Sequence, residues 1–182
     1  MKEEYRLPER YYTLHVDVAK RQHRWDIKYL KLAQFWAELN SKDPSTKVGA
    51  VVVNFELQKE FLGYNGFPPG ILDTDERLSD RELKNKLVTH AEANALRKAG
   101  DLAQRATLYV WPTFTIPAVC HECAKLAVHY KVREIVSWAL PEVLTEDQQA
   151  RLERWKDSIE LSKTILREGG VDWRSIDIIP EF

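Results

Sequence analysis

His90 and Glu92 stand two residues apart in LVTHAEANALRKAG (87–100), and Cys120 and Cys123 stand three apart in PAVCHECAKLAV (117–128). One imidazole and two thiols make the donor set of a zinc site with three protein ligands, which leaves a fourth position open for chemistry. A carboxyl near such a metal, but not bound to it, can move protons during hydrolysis. Glu92 has a local alternative. Thr89 lies three residues before it, and Thr-x-x-Glu is the pattern of a capping box, in which both side chains bond backbone amides at a helix start. The cysteine pair alone is also ambiguous. It fits a thioredoxin-like redox pair; a c-type haem site does not fit, because Ala124 follows the second cysteine. A closed structural zinc would need four protein ligands, and the chain has only these two cysteines. With His90, Cys120 and Cys123 taken together, the catalytic reading of Glu92 outweighs the cap.

These residues need elements to converge them. WDIKYLKLAQFWAEL (25–39) reads as a mostly buried helix, apolar on much of its circumference. VGAVVVN (48–54) is the β-branched run of a buried strand, and EFLGYN (60–65) is its antiparallel partner. A helix starts at His90 and stops near Gly100; ATLYVWP (106–112) is a strand. CHECAKLAVHY (120–130) is a helix with both thiols on its first turn, where the helix dipole favours thiolates. REIVSWA (133–139) is a further strand, and a long helix begins at Thr145, ahead of a β-like tail at SIDIIP (175–180). Alternating helices and strands predict an α/β domain with parallel strands in its second half and helices on both faces. Residues 1–24 read as an irregular N-terminal arm, 25–140 as the catalytic core, and 141–182 as a C-terminal helix and tail packed on the same domain.

Composition limits the partners. The 182 residues, 44% hydrophobic and 30% charged, are those of one ordinary globular domain. A formal net charge of −1 argues against a polynucleotide partner, which calls for a basic groove. The opening MKEEYRLPERYY lacks the apolar core of a secretory signal, and no segment is long enough to span a membrane. Two cysteines three apart offer no disulfide framework, so a reducing cytoplasm is expected. Lys42, Ser45 and Lys47 in SKDPSTK can hold a phosphate or form a solvated loop. His121 and His129 read as structural, and Trp111 and Phe114 can stack on a base or pack in the core.

His-x-Glu followed by Cys-x-x-Cys is the signature of the zinc-dependent nucleobase deaminases. SKDPSTKVGAVVVN, GYNGFPPG, HAEANAL and CHECAKLAV, in that order over residues 25–140, resemble deoxycytidylate (dCMP) deaminases. The resemblance implies a three-layer α/β/α cytidine-deaminase-like fold with a mixed five-stranded sheet. It implies Zn2+ on His90, Cys120 and Cys123, with Glu92 as proton shuttle and Asn65 on the sugar hydroxyl. It further implies deamination of dCMP to dUMP in a homo-oligomer, commonly a hexamer. An effector site near Gly63, Tyr64 and Gly66 would take dCTP, with Mg2+, as activator and dTTP as inhibitor. One departure stands out: Val119 precedes the first cysteine where the family usually has proline, which bears on the base pocket. Alternatives are a related deaminase of a modified dCMP, a nucleoside or another base, and a non-catalytic zinc-containing nucleotide-binding protein. The C-terminal helix, with Trp155, Ile159 and Leu166, reads as extra core or oligomer contact.

Overall fold

The β-branched run centres a five-stranded sheet. In the computed structural model, which describes residues 9–177 and side-chain surroundings from residue 19 on, the elements follow in chain order. They are α1 (Glu9–Asn40), β1 (Gly49–Asn54), β2 (Lys59–Tyr64), α2 (Asp75–Ser79), α3 (Arg81–Leu87) and α4 (Ala91–Ala99), then β3 (Thr107–Trp111), α5 (His121–His129), β4 (Glu134–Trp138), α6 (Glu146–Glu168) and β5 (Asp172–Ile176). The sheet order is β2-β1-β3-β4-β5. β1 pairs antiparallel with both β2 and β3, whereas β3, β4 and β5 run parallel. The expected mixed sheet and its parallel second half are both present.

β1 is buried along its whole length because both faces are covered. Val51 and Val53 point to α1, meeting Tyr29, Leu30, Ala33 and Tyr109. Ala50 and Val52 point the other way, to a core that includes Ala95 and Leu96 of α4, Ala124 and Ala127 of α5, and Leu166 of α6. Full burial of a side chain such as Leu30 or Leu166 stabilises by roughly 1.5–3 kcal/mol. Small residues let the layers approach. A Cβ built on Gly63 of β2 would lie 2.2 Å from the Ala91 carbonyl oxygen and 2.6 Å from the Ala95 nitrogen, so α4 sits directly on that glycine. Gly63 is thereby committed to packing.

Two sequence expectations change. Residues 9–24, read as irregular, form the first half of α1; they lack an apolar stripe but continue the helix that the buried 25–40 segment anchors. Residues 1–8 of the expected arm lie outside the described residues. The final strand starts earlier than expected, at Asp172, since it pairs with β4 from Glu134 to Trp138. Arg174 of β5 fastens it to α1 through bonds of 2.7 and 2.9 Å to the buried Asp26 carboxylate. Burial alone would raise the Asp26 pKa; the Arg174, Gln22 and Tyr109 hydrogen bonds outweigh it and hold the pKa below its usual value. Among the described residues no helix is long and apolar enough to cross a membrane.

Candidate metal and active site

Two helix starts converge on one side of the sheet. His90 is the N-cap of α4 and Cys120 the N-cap of α5, both in extended conformation, and neither side chain caps its helix. Cys123 follows one turn into α5. The His90 Nδ1 atom lies 3.5 Å from Cys120 Sγ and 3.4 Å from Cys123 Sγ, and all three ligand atoms fall within 4.8 Å of one another. A tetrahedral zinc with Zn–S of about 2.3 Å and Zn–N of about 2.05 Å sets N···S separations near ~3.6 Å. The donor types and their spacing therefore fit zinc.

The electrostatics agree with a ligand set. The Cys120 thiol is lowered to about 4, chiefly by a hydrogen bond from Cys123 and further by His90, against the opposing effect of burial. The hydrogen bond to Cys120 lifts His90 to about 9 although burial opposes it. Cys123 is pushed up by its bond to Cys120 and by burial. Glu92 is 5% exposed, and burial raises its pKa; its carboxyl contacts the Cys123 thiol. The capping-box alternative for Thr89 and Glu92 is not adopted. Thr89 lies one residue ahead of the cap, and its backbone forms a bridge with Gly66, through bonds of 2.8 and 3.2 Å.

A cavity of about 410 Å3 opens beside this cluster, lined by His90, Glu92 and Cys120 and also by Ser45 and Asn65. Lys42 and Lys47 do not line it. Lys42 pairs with Asp73 at 2.8 Å, and Lys47 donates to the Glu38 carbonyl at 3.0 Å, both in exposed positions. Among the described residues, the lysines and arginines that line the cavity are Arg81, Lys84, Arg151 and Arg154. Sequence reasoning missed them because α2 and α3 carry no apolar periodicity and α6 lies far along the chain.

Asn65 is built into the cavity floor. Its Oδ1 accepts from Ser41 Oγ and the Val48 amide, each at 2.8 Å, and its Nδ2 donates to the Thr46 carbonyl at 2.8 Å and to Asp43 at 3.5 Å. Asp43 in turn accepts from the Ser45 and Thr46 amides and from the buried Lys84, each at 2.9 Å. Burial alone would raise the Asp43 pKa, but the Lys84, Ser45 and Thr46 hydrogen bonds lower it on balance. Lys84 also donates to Ser45 Oγ at 2.6 Å. The SKDPSTK loop thus holds its shape through a lysine from α3.

The other expectations resolve by position. Trp111 packs with the α1-side core. Phe114 lines the cavity, but the Arg151 guanidinium lies 4.3 Å from its ring centroid. His121 docks α5 on α6 through Ser158 Oγ at 2.8 Å, and His129 meets the Tyr130 ring edge-on. Val119, standing where the family usually has proline, is buried, and its carbonyl accepts from Ser162 Oγ at 3.0 Å. That bond ties α6 to the residue before Cys120. Ile159 and Leu166 are core, as expected of α6, but Trp155 is 41% exposed and lines the cavity. Tyr64 and Gly66 line a separate cavity of about 130 Å3, together with Lys42 and Asp73.

Comparisons with known proteins agree with the geometry. The deoxycytidylate deaminase of Pongo abelii is 36% identical over 116 residues, covering 60% of this chain and 62% of that protein's length. The "Uncharacterized deaminase in luxG 3′region" of Aliivibrio fischeri is 30% identical over 158 residues, covering 86% of this chain and 97% of that one. The crystal structure of the cyanophage S-TIM5 dCMP deaminase in complex with dCMP and dUMP superposes with a TM-score of 0.58 at 20% identity, covering 84% of this chain and 97% of that chain, and so shares the fold. The sequence pattern of the cytidine and deoxycytidylate deaminase zinc-binding region matches residues 23–139, a span that holds His90, Glu92, Cys120 and Cys123, and the chain belongs to that family.

Proposed function

We propose that this chain is a zinc-dependent hydrolase that deaminates a cytosine deoxynucleotide, dCMP foremost, by dCMP + H2O → dUMP + NH3. The observation that carries this reading is Glu92, a buried carboxyl that leaves its helix uncapped and opens onto the same cavity as His90 and Cys120. His90, Cys120 and Cys123 would hold the metal. Zinc bound there supplies a water whose pKa lies near neutrality. Glu92 would take one proton from the water and pass it to N3 of the ring, where it stays in the product. Glu92 would then carry the second proton from the new C4 hydroxyl to the amine, which leaves as NH3 while the C4 carbonyl forms. Burial raises its pKa, which suits a group that must both accept and release a proton near neutral pH.

Cavity size and chemistry support a nucleotide. A volume of about 410 Å3 is in the range of small-molecule sites. Ser45 and Asn65 offer polar contacts, and the long 3.5 Å bond from Asn65 to Asp43 is the one a sugar hydroxyl can most cheaply replace. The named activities of the Pongo and cyanophage relatives support the same substrate class. Residues 25–140 form the catalytic unit in this reading, with 141–182 completing it.

Three finer assignments belong to the same proposal. The chain works in the cytoplasm as a homo-oligomer, a hexamer foremost, which light scattering on the purified protein tests. dCTP with Mg2+ and dTTP act as effectors near Tyr64 and Gly66. The cavity there is about 130 Å3, so a nucleoside triphosphate must open the Lys42–Asp73 pair to enter. Zinc analysis combined with ammonia release from dCMP, dCTP, deoxycytidine and guanine tests the central reading. Zinc-loaded protein that releases ammonia from none of them overturns it, and preference for another substrate reassigns the pocket.

A further inference from the structure

α6 begins at Glu146, beyond the 23–139 span that matches the family pattern, yet it supplies one wall of the main cavity. Arg151, Arg154 and Trp155 lie three and four residues apart, hence on one helix face. That helix is fixed over the site at three points already described, by Ser158 to His121, by Ser162 to the Val119 carbonyl and by the buried Ile159. To the same cavity α3 contributes Arg81 and Lys84.

The charges of these four cations are not equivalent. Lys84 is neutralised by Asp43 at 2.9 Å, and Arg151 is held by Asp147 at 3.2 Å and by the Phe114 ring. Arg81 and Arg154 have no acidic partner among the described residues. The cavity lining therefore carries two guanidinium groups with no acidic partner among the described residues, one from α3 and one from α6. A phosphate monoester carries about −1.5 to −2 charges at neutral pH and offers three acceptor oxygens. Guanidinium groups recognise such oxygens through paired N–H donors. Two free cations match one monoester dianion, whereas a triphosphate would bring more negative charge than they offset.

We propose that Arg81 of α3 and Arg154 of α6 form a two-sided grip for a single terminal phosphate, so that α6 selects a 5′-monophosphate over the bare nucleoside. This rests on the nucleotide reading of the cavity, and it moves the phosphate contact from Lys42 and Lys47 to arginines of α3 and α6 that line it. Both arginines are exposed and their side chains make no hydrogen bond or ion pair among the described residues, so removing them should leave the fold intact.

The test is calorimetric binding to zinc-loaded protein, using dUMP, deoxyuridine and inorganic phosphate, for wild type, Arg81→Ala, Arg154→Ala and the double variant. We expect each substitution to weaken dUMP binding about tenfold and the pair about a hundredfold, with deoxyuridine affinity changed less than about twofold. Arg154→Lys should restore only part of the loss, because a point charge lacks the paired donors. Raising the salt concentration should weaken dUMP binding in the wild type and much less in the double variant. Wild-type protein that binds dUMP no better than deoxyuridine overturns the grip. So does an equal loss for both ligands, which would mean a general packing role. Arginine-dependent dUMP binding without dCMP turnover would sink the deaminase reading and leave the grip standing. dCMP turnover with affinity indifferent to both arginines would do the reverse.

Discussion

Two stretches share the spacing of a capping box and use it differently. At the start of α6, Thr145 Oγ1 accepts from the Gln148 amide at 3.3 Å, and the Gln148 side chain accepts from the Thr145 amide at 2.8 Å. Both groups serve the backbone. At the start of α4, Thr89-x-x-Glu92 has the same pattern, but the helix starts at His90 without a side-chain cap, and Glu92 turns into the cavity. α5 likewise starts uncapped at Cys120, while Thr74 and Asp80 cap α2 and α3. Among α2 to α6 the uncapped starts are the two that carry the candidate ligands. A cap contributes about 1 kcal/mol; here two helices forgo it, and the side chains are free for other partners.

That contrast can be broken experimentally, and the largest effect belongs to the ligands. His90→Ala, Cys120→Ser and Cys123→Ser should each reduce zinc from about one ion per chain to a small fraction and abolish turnover, because water enters the opened shell. Elemental analysis of the purified variants measures this. Full zinc retention in all three would remove the site.

Glu92→Gln comes next. Zinc content should stay near wild type while turnover falls roughly 10²–10⁴-fold, the scale of a lost general acid–base. Stability should hold or rise, since the variant buries a neutral amide instead of an acid. Near-normal turnover with an early melt would return Glu92 to the role of a helix cap.

The third effect is on stability alone. Thr145→Ala should cost about 1 kcal/mol in urea unfolding with zinc unchanged. The smallest is Thr89→Val, expected to stay within about 0.5 kcal/mol, because the hydroxyl has no cap to lose. Equal costs at the two threonines would mean that α4 is capped after all.

The candidate metal set stood out because its signal is local: His-x-Glu and Cys-x-x-Cys fix residue type and spacing within a single turn. The sheet was readable because the short, β-branched run VGAVVV is the kind a strand buried on both faces needs. Other features came from packing at a distance. Lys84 reaches Asp43 across 41 positions of sequence, and nothing in RELKNK marks that lysine as buried. Lys42 and Lys47 suited a phosphate by type and neighbourhood, yet the loop turns both outward, since Asp43 and Asn65 hold its interior. The polar residues 9–24 carry no periodic signal of their own and are helical by continuation. α6 satisfied the expectation of core packing with Ile159 and Leu166, and the same 23 residues leave Arg154 and Trp155 on the cavity side.

Gly63 sets a mechanical tolerance. It sits on the edge strand, where a glycine ordinarily weakens pairing, and its missing side chain lets the carbonyl of Ala91 rest directly on the strand. Ala91 lies between His90 and Glu92, so the seat of α4 is also the fulcrum from which both side chains are aimed. A methyl group there would have to lift the fulcrum by about 1 Å to reach ordinary contact distance, and a misplacement of that size can cost about 10²-fold in rate. The reach of the candidate proton shuttle is thus calibrated from outside the cavity, by an atom that is not there.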